Sequence, residues 1–281
     1  MIGAGIVTYY PDYDKLALSL KKLLGQNCET IIYDNTPDEG SEYTHHKAMM
    51  EDICEQYKTK LVCDGVNSGV AKAYNEIMKA FDCKADFVLT LDQDTVIPDN
   101  LVENYCQNRN LAAVGILCPN LKYKNDNIYT EEKGIDNIDT CISSGSFISL
   151  KAWKDTDGFD EDMFIDFVDF DFCYSLIEKG YRIYRLNEVT INHELGQLHP
   201  KTLFGRKIMV TNHSPLRKYY YIRNAIICWK KHRALYTSKA LIKDVMHNYI
   251  KAILYEDDRK NRLHMMNKGL IDGMKYKVDN K

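Results

Sequence analysis

The chain is poor in the features that mark small secreted or membrane-spanning proteins. Its nine cysteines (Cys28, Cys54, Cys63, Cys83, Cys106, Cys118, Cys141, Cys173 and Cys228) are scattered, odd in number and form no C-x-x-C pair. That spacing argues against a zinc site and a disulfide framework. Prolines number only six among 281 residues, no apolar run approaches the roughly 18 residues that span a bilayer, and no internal repeat marks a solenoid. The opening leads from Met1 into the strand-like run Ile2 to Thr8 and then Tyr9-Tyr10-Pro11, without a secretory pattern. With reduced cysteines, the expected compartment is the cytoplasm. What is present, 45% hydrophobic and 27% charged residues, suffices for a sizeable core.

Charge is unevenly distributed. Residues 1–200 carry 18 basic against 34 acidic side chains, a net of −16, whereas residues 201–281 carry 19 against 6, a net of +13. From Lys201 to Lys243 there are eleven basic residues and no acidic one, interleaved with Phe204, Tyr219, Tyr220, Tyr221, Trp229 and Tyr236. Such a stretch suits an anionic surface. An acidic first part makes a nucleic-acid groove unattractive, so the expected partner is a phosphate-bearing lipid surface at the inner face of the cell membrane, with a homodimer through a helical face as the alternative. No nucleic-acid partner is expected.

Short apolar runs alternate with helical patterns through the first 120 residues, which predicts successive βαβ units and a mainly parallel, Rossmann-like sheet. Expected strands are Gly3 to Thr8, Glu29 to Tyr33, Lys60 to Cys63, Phe87 to Leu91 and Ala113 to Leu117, and expected helices are Asp14 to Leu24, Tyr43 to Tyr57, Val70 to Phe81 and Asn100 to Arg109. Lys122 to Asp139 reads as a loop or irregular hairpin. A helix from near Asp169 to Lys179 ends at Gly180 and leads into a strand at Tyr181 to Leu186. From Pro215 the pattern is helical to about Asn267. The expected division is a catalytic domain over 1–214 and a basic helical extension over 215–281. Ligands of such sheets bind at the carboxyl ends of the strands.

Chemistry concentrates in three places. Phe87-Val88-Leu89-Thr90-Leu91-Asp92-Gln93-Asp94 delivers two carboxylates at a strand exit, hard oxygen donors suited to Mg²⁺ or Mn²⁺ together with a substrate diphosphate. Asp160 to Phe172 interleaves Asp166, Asp169 and Asp171 with large apolar residues, which draw the acids toward a pocket where a carboxylate can act as a general base. The plainer reading is that Asp169 caps the next helix. His193, in Asn192-His193-Glu194-Leu195-Gly196, could be a structural histidine; with the carboxylates it completes a metal-assisted transfer site.

Eight segments in order, Gly5 to Pro11, Tyr33 to Thr36, Asn67 to Asn75, Leu91 to Asp94, Ser143 to Ser146, Phe164 to Asp171, Asn192 to Gly196 and Tyr220 to Asn224, resemble the inverting GT-A fold glycosyltransferases of family 2 type. Within them they are similar to the rhamnosyltransferase-like and galactofuranosyltransferase-like members. The resemblance covers roughly residues 3–230 and implies a GT-A fold with a C-terminal helical extension. It implies that Thr8, Tyr10, Pro11 and Asp34 border the nucleotide base and ribose, and that Asn67 and Gly69 close around the nucleotide. Gln93, Ser144 and Gly145 would line the donor site. Asp94 would meet the metal, Asp92 the ribose or the metal shell, and His193 would be a further ligand. Asp169 would be the general base, Asp166 an acceptor-binding neighbour, and Arg223 or Lys201 would neutralise a diphosphate or an anionic acceptor. The implied donor is dTDP-rhamnose, with UDP-sugars as alternatives, and the implied acceptor a cell-surface glycan or lipid-linked chain.

Two other readings compete. Asp92-Gln93-Asp94-Thr95 also fits the D-x-D-x-T pattern of haloacid-dehalogenase-like phosphatases, but that motif follows the first core strand and here three strand-helix units precede it. A non-catalytic nucleotide-sugar-binding module is the second, although the base, metal and nucleotide positions are all filled.

Overall fold

A computed structural model of the chain describes residues 1–40, 42–123, 133–193, 199–203, 206–210 and 212–278, with the backbone alone at 123, 193, 199–203 and 206–210. Contacts divide the chain into two compact units. One comprises Met1–Asp162 with Phe172–His193, the other Met163–Asp171 with Glu194–Lys281. Whereas the sequence pattern suggests a division at 214, the contacts group both 163–171 and 194–214 with the C-terminal helices.

The first unit begins with β1 (Ile2–Thr8), α1 (Tyr13–Gly25), β2 (Cys28–Asp34), α2 (Tyr43–Tyr57), β3 (Lys60–Cys63), α3 (Gly69–Ala80) and β4 (Phe87–Asp92). β1 is an apolar run whose glycines are required by packing: a Cβ at Gly5 would stand 2.2 Å from Ile77 Cγ2 of α3. α1 starts where the Asp12 carboxylate accepts from the amides of Asp14 and Lys15, and buries Leu16, Leu20 and Leu23 at helical spacing. Each such leucine contributes about 1.5–3 kcal/mol. The unit continues with α4 (Leu101–Asn108), β5 (Val114–Tyr123), β6 (Ile135–Ile138), β7 (Ser146–Ser149), α5 (Leu150–Asp155), α6 (Val168–Glu178), whose first turn belongs to the other unit, and β8 (Arg182–His193).

Among the described residues these strands form one sheet in the order β3-β2-β1-β4-β7-β5-β8-β6. Pairing is parallel from β3 to β4 and between β5 and β8. The expectation of a mainly parallel sheet holds for that first half; β7 enters antiparallel to both β4 and β5, and β6 runs antiparallel to β8. Four-residue strands such as β6 and β7 are too short to give a period in the sequence. β8 extends beyond Leu186 because its ladder with β5 skips from Pro119–Leu186 to Asn120–Thr190. Proline offers no amide at that step, and the chain bulges past it.

The second unit contains an antiparallel pair, β9 (His199–Leu203) and β10 (Arg206–Val210), and the helices α7 (Pro215–Lys231), α8 (Ser238–Leu254) and α9 (Arg259–Lys275). α7 and α9 approach closely over glycine, since a Cβ at Gly269 would stand 2.4 Å from the Tyr219 carbonyl oxygen. Ile222, Ile226, Ala252 and Met266 form the small core, and Lys218 meets Glu256 at 2.7 Å in the interior. Among the described residues no helix is long and apolar enough to cross a membrane.

Candidate active site

In the first unit the parallel register gathers the expected residues on one edge of the sheet. Thr8 stands opposite Asp34, Asp34 opposite Cys63, and Val7 opposite Asp92, so β1, β2 and β4 end together. Asp34 is only 4% exposed and its carboxylate is fully engaged. One oxygen accepts from the hydroxyls of Thr8 and Thr36, each at 2.8 Å, and from the Thr36 amide. The other lies 2.7 Å from His46 Nε2, and His46 Nδ1 meets the Tyr13 hydroxyl at 2.9 Å. Asp34 therefore braces the turn that carries Tyr10, whose amide donates to Thr36 at 3.0 Å. Tyr10 itself has φ +46 and is 53% exposed beside Tyr9, while Pro11 is buried. Two exposed aromatic rings at strand ends can stack on a nucleotide base.

His46 escaped the sequence reading. It lies on the inward stripe of α2 with Met50, Ile53 and Cys54, and a histidine at such a position signals a buried acidic partner.

Asp92, Gln93 and Asp94 follow β4 and have distinct surroundings. The Tyr74 hydroxyl donates to Asp92 at 2.9 Å, and the Asp92 amide donates to Ser144 Oγ at 3.0 Å. Ser144 is buried and shares a second hydrogen bond with Thr95, so its hydroxyl shapes the strand exit from beneath. Gly145 has φ +83, and a Cβ there would stand 2.7 Å from Ile191. Gln93 accepts from the Tyr9 amide at 2.7 Å, which joins the first and fourth strand ends. Asp94 is exposed, and no hydrogen bond or ion pair engages it among the described residues.

The Asn67 and Gly69 segment begins α3. Asn67 accepts from the Gly69 amide at 3.1 Å, and Asn35 bridges the Ser68 amide and the Gly69 carbonyl. Beside it Lys72 donates to Asp64 at 2.7 Å, a hydrogen bond that holds the Asp64 carboxyl below the usual carboxylate range.

In the second unit the acidic motif forms a strained loop. Phe164, Asp166 and Phe167 all have positive φ, +46, +62 and +66, a conformation that costs roughly 1–3 kcal/mol per residue. Asn224 of α7 offsets that cost: its amide nitrogen lies 2.6, 2.8 and 3.0 Å from the carbonyl oxygens of Met163, Ile165 and Asp166. Arg217 grips Asp166 through Nε and Nη2. The loop ends in α6, where Asp169 occupies the first turn rather than the position before it; its carboxylate accepts from the Phe170 amide at 3.1 Å. Asp171 is buried against Lys231 at 2.7 Å and His232 at 3.0 Å.

Arg223, expected at a phosphate, donates to Asn224 Oδ1 at 3.0 Å and lies 5.7 Å from the Tyr276 ring centroid. In that position it orients the Asn224 amide. His193 closes β8 opposite Tyr123, and Lys201 lies in β9; their side chains fall outside the described residues.

Comparison with known proteins places this chain among the glycosyltransferases. The family model described as glycosyl transferase family 2 matches residues 5–173. A dTDP-rhamnosyl transferase, RfbF of Shigella flexneri, is 27% identical over 289 residues, covering 96% of this chain and 93% of that protein. Among solved structures, S. aureus TarS 1-349 in complex with UDP-GlcNAc superposes with a TM-score of 0.61 at 14% identity, covering 96% of this chain and 80% of that one. The mannosyltransferase PcManGT of Pyrobaculum calidifontis, in complex with GDP-Man and Mn²⁺, gives 0.60 at 11% identity, covering 97% and 85%. At these identities the solved structures establish the fold.

Proposed function

The chain belongs to glycosyl transferase family 2, and on that premise we propose that it transfers rhamnose from dTDP-rhamnose to a hydroxyl of a cell-surface glycan or lipid-linked acceptor, inverting the anomeric centre. That it is a glycosyltransferase of GT-A fold follows from the family match and the fold. The choice of rhamnose is supported by its similarity to a dTDP-rhamnosyl transferase, and a UDP-sugar is the alternative donor. Membership sets aside the phosphatase reading, consistent with a D-x-D that follows the fourth strand.

The observation that carries the site is the pair Asp92 and Asp94 on the strand edge that also carries exposed Tyr9 and Tyr10. Asp94 has no hydrogen-bond partner among the described residues, and Asp92 is oriented by Tyr74 and the Ser144 loop. This donor set fits a hard divalent cation, Mn²⁺ or Mg²⁺, which binds through one or two carboxylates and completes its shell with water and diphosphate oxygens. Asp94 would be the principal ligand, with Asp92 and His193 contributing. Such a cation would stabilise charge developing on the leaving nucleoside diphosphate.

Tyr10 and Tyr9 would hold the base, and the Asn67 to Gly69 turn would close on the nucleotide. The Asp169 carboxylate would take the proton of the acceptor hydroxyl as its oxygen bonds to the anomeric carbon and the bond to the diphosphate oxygen breaks. A lipid-linked acceptor would bring the protein to the inner face of the cell membrane.

Replacement of Asp169 by Asn tests this division of labour. Calorimetry with dTDP should show donor-nucleotide affinity unchanged, while transfer from dTDP-rhamnose to acceptor falls by at least about a hundredfold. Near-normal turnover would remove Asp169 from the base's role.

A further inference from the structure

We propose that the outward face of α8 docks on an anionic lipid surface, a role separate from sugar transfer. α8 is apolar on two sides. Its inner side, Leu241, Val245 and Tyr249, packs on the core formed with α7 and α9. Its other side exposes Ile242, Met246, Ile250, Ile253 and Leu254, each at least 44% accessible. Their spacing of three or four residues aligns them along a helix of 17 residues, roughly 25 Å in length.

The charge on this face has one sign. Lys239 and Lys243 are exposed and enter no ion pair among the described residues. Most basic groups of α7 are already occupied: Arg217 by Asp166, Lys218 by Glu256, Lys231 by Asp171, and Lys230 by the carbonyls of Met274 and Tyr276. The carboxylate of α8, Asp244, accepts from the Tyr236 hydroxyl at 2.7 Å and is half-buried. The acids beyond the helix, Asp257 and Asp258, bond Asn212 and Asn261. A two-fold pairing of this face would oppose lysine to lysine with no exposed acid of α8 between them. An anionic bilayer accommodates both features, since the apolar side chains enter the headgroup boundary while the lysine stems reach back to the phosphates.

Flotation of the purified full chain with vesicles tests the surface. The protein should float with phosphatidylcholine vesicles containing phosphatidylglycerol at low salt, be released by high salt, and stay behind with phosphatidylcholine alone. Replacing Lys239 and Lys243 by Gln should weaken partitioning roughly thirtyfold, at about 1 kcal/mol per lysine. Met246→Ser with Ile250→Ser should abolish flotation while circular dichroism and melting stay unchanged, because both side chains are exposed. The proposal is overturned if the wild type ignores phosphatidylglycerol or if the serine pair floats as well as wild type. Light scattering that shows a dimer which the serine pair converts to monomer would also overturn it, with a second copy covering the face. None of these readouts depends on sugar transfer.

Discussion

Asn224→Ala should separate chemistry from donor binding. The Asn224 amide nitrogen lies 2.6–3.0 Å from three carbonyl oxygens; its two N–H donors are shared among them, and at about 1 kcal/mol per hydrogen bond the clamp contributes about 2 kcal/mol. Three residues of the loop have positive φ, and at the low end of about 1 kcal/mol each they store a similar amount. Without the amide the two terms no longer balance, and the loop relaxes toward ordinary backbone angles, carrying the first turn of α6 and Asp169 with it. Relaxation limits the loss of global stability to less than about 2 kcal/mol. A displacement of about 1 Å can nevertheless cost about a hundredfold in rate. Turnover should therefore fall by one to two orders of magnitude, while calorimetric affinity for dTDP is retained. Asn224→Asp should unfold at lower denaturant than Asn224→Ala, because it aims a carboxylate oxygen at three carbonyls. Wild-type turnover in Asn224→Ala, or equal stability of the two variants, would refute this account of the loop.

Three further outcomes are expected. His46→Leu removes a charge-assisted bond from the buried Asp34 and should lower unfolding free energy by about 2 kcal/mol in urea titrations; an unchanged midpoint would mean that Asp34 does not need it. Gly145→Ala forces a side chain onto a φ of +83 and against Ile191, costing about 1–3 kcal/mol. It should also weaken Mn²⁺-dependent nucleotide binding, because Ser144 beside it holds the Asp92 amide, and unchanged binding would show that the exit tolerates displacement. Burial, with Arg217 and Lys218 nearby, pushes His213 down from 6.5 to about 4, so the folded state favours the neutral ring. Its contribution is present above pH 6.5 and is lost as pH falls toward 4. Melting temperature should decline across that window, and His213→Gln should flatten the decline.

The sequence made the first half of the sheet legible for physical reasons. Each of β1 to β4 is a short apolar run, and α1 announces its start through Asp12 and its buried face through Leu16, Leu20 and Leu23. α5, β6 and β7 have four to six residues, fewer than a period needs to show. Tyr10, Asp34, Asp92 and Gln93 do converge on one edge, but Asp34 and Ser144 engage their polar atoms internally. Only contacts across 12 to 52 residues reveal that. Tyr220 to Asn224 stood out as a motif, yet the link from Asn224 to a loop about sixty residues away has no local signature. The bond from Arg223 to Asn224 Oδ1 is likewise invisible in the sequence, where Arg223 reads only as a cation available to a phosphate.

The most direct measurement is isothermal calorimetry of the wild-type protein and Asp94→Ala against dTDP, UDP and GDP, with and without Mn²⁺. Wild type should bind one of these diphosphates, dTDP before UDP or GDP, only with the metal, and Asp94→Ala should abolish that dependence. Binding of none, or metal-dependent binding that survives in Asp94→Ala, would contradict a donor site built on the Asp92 and Asp94 strand exit.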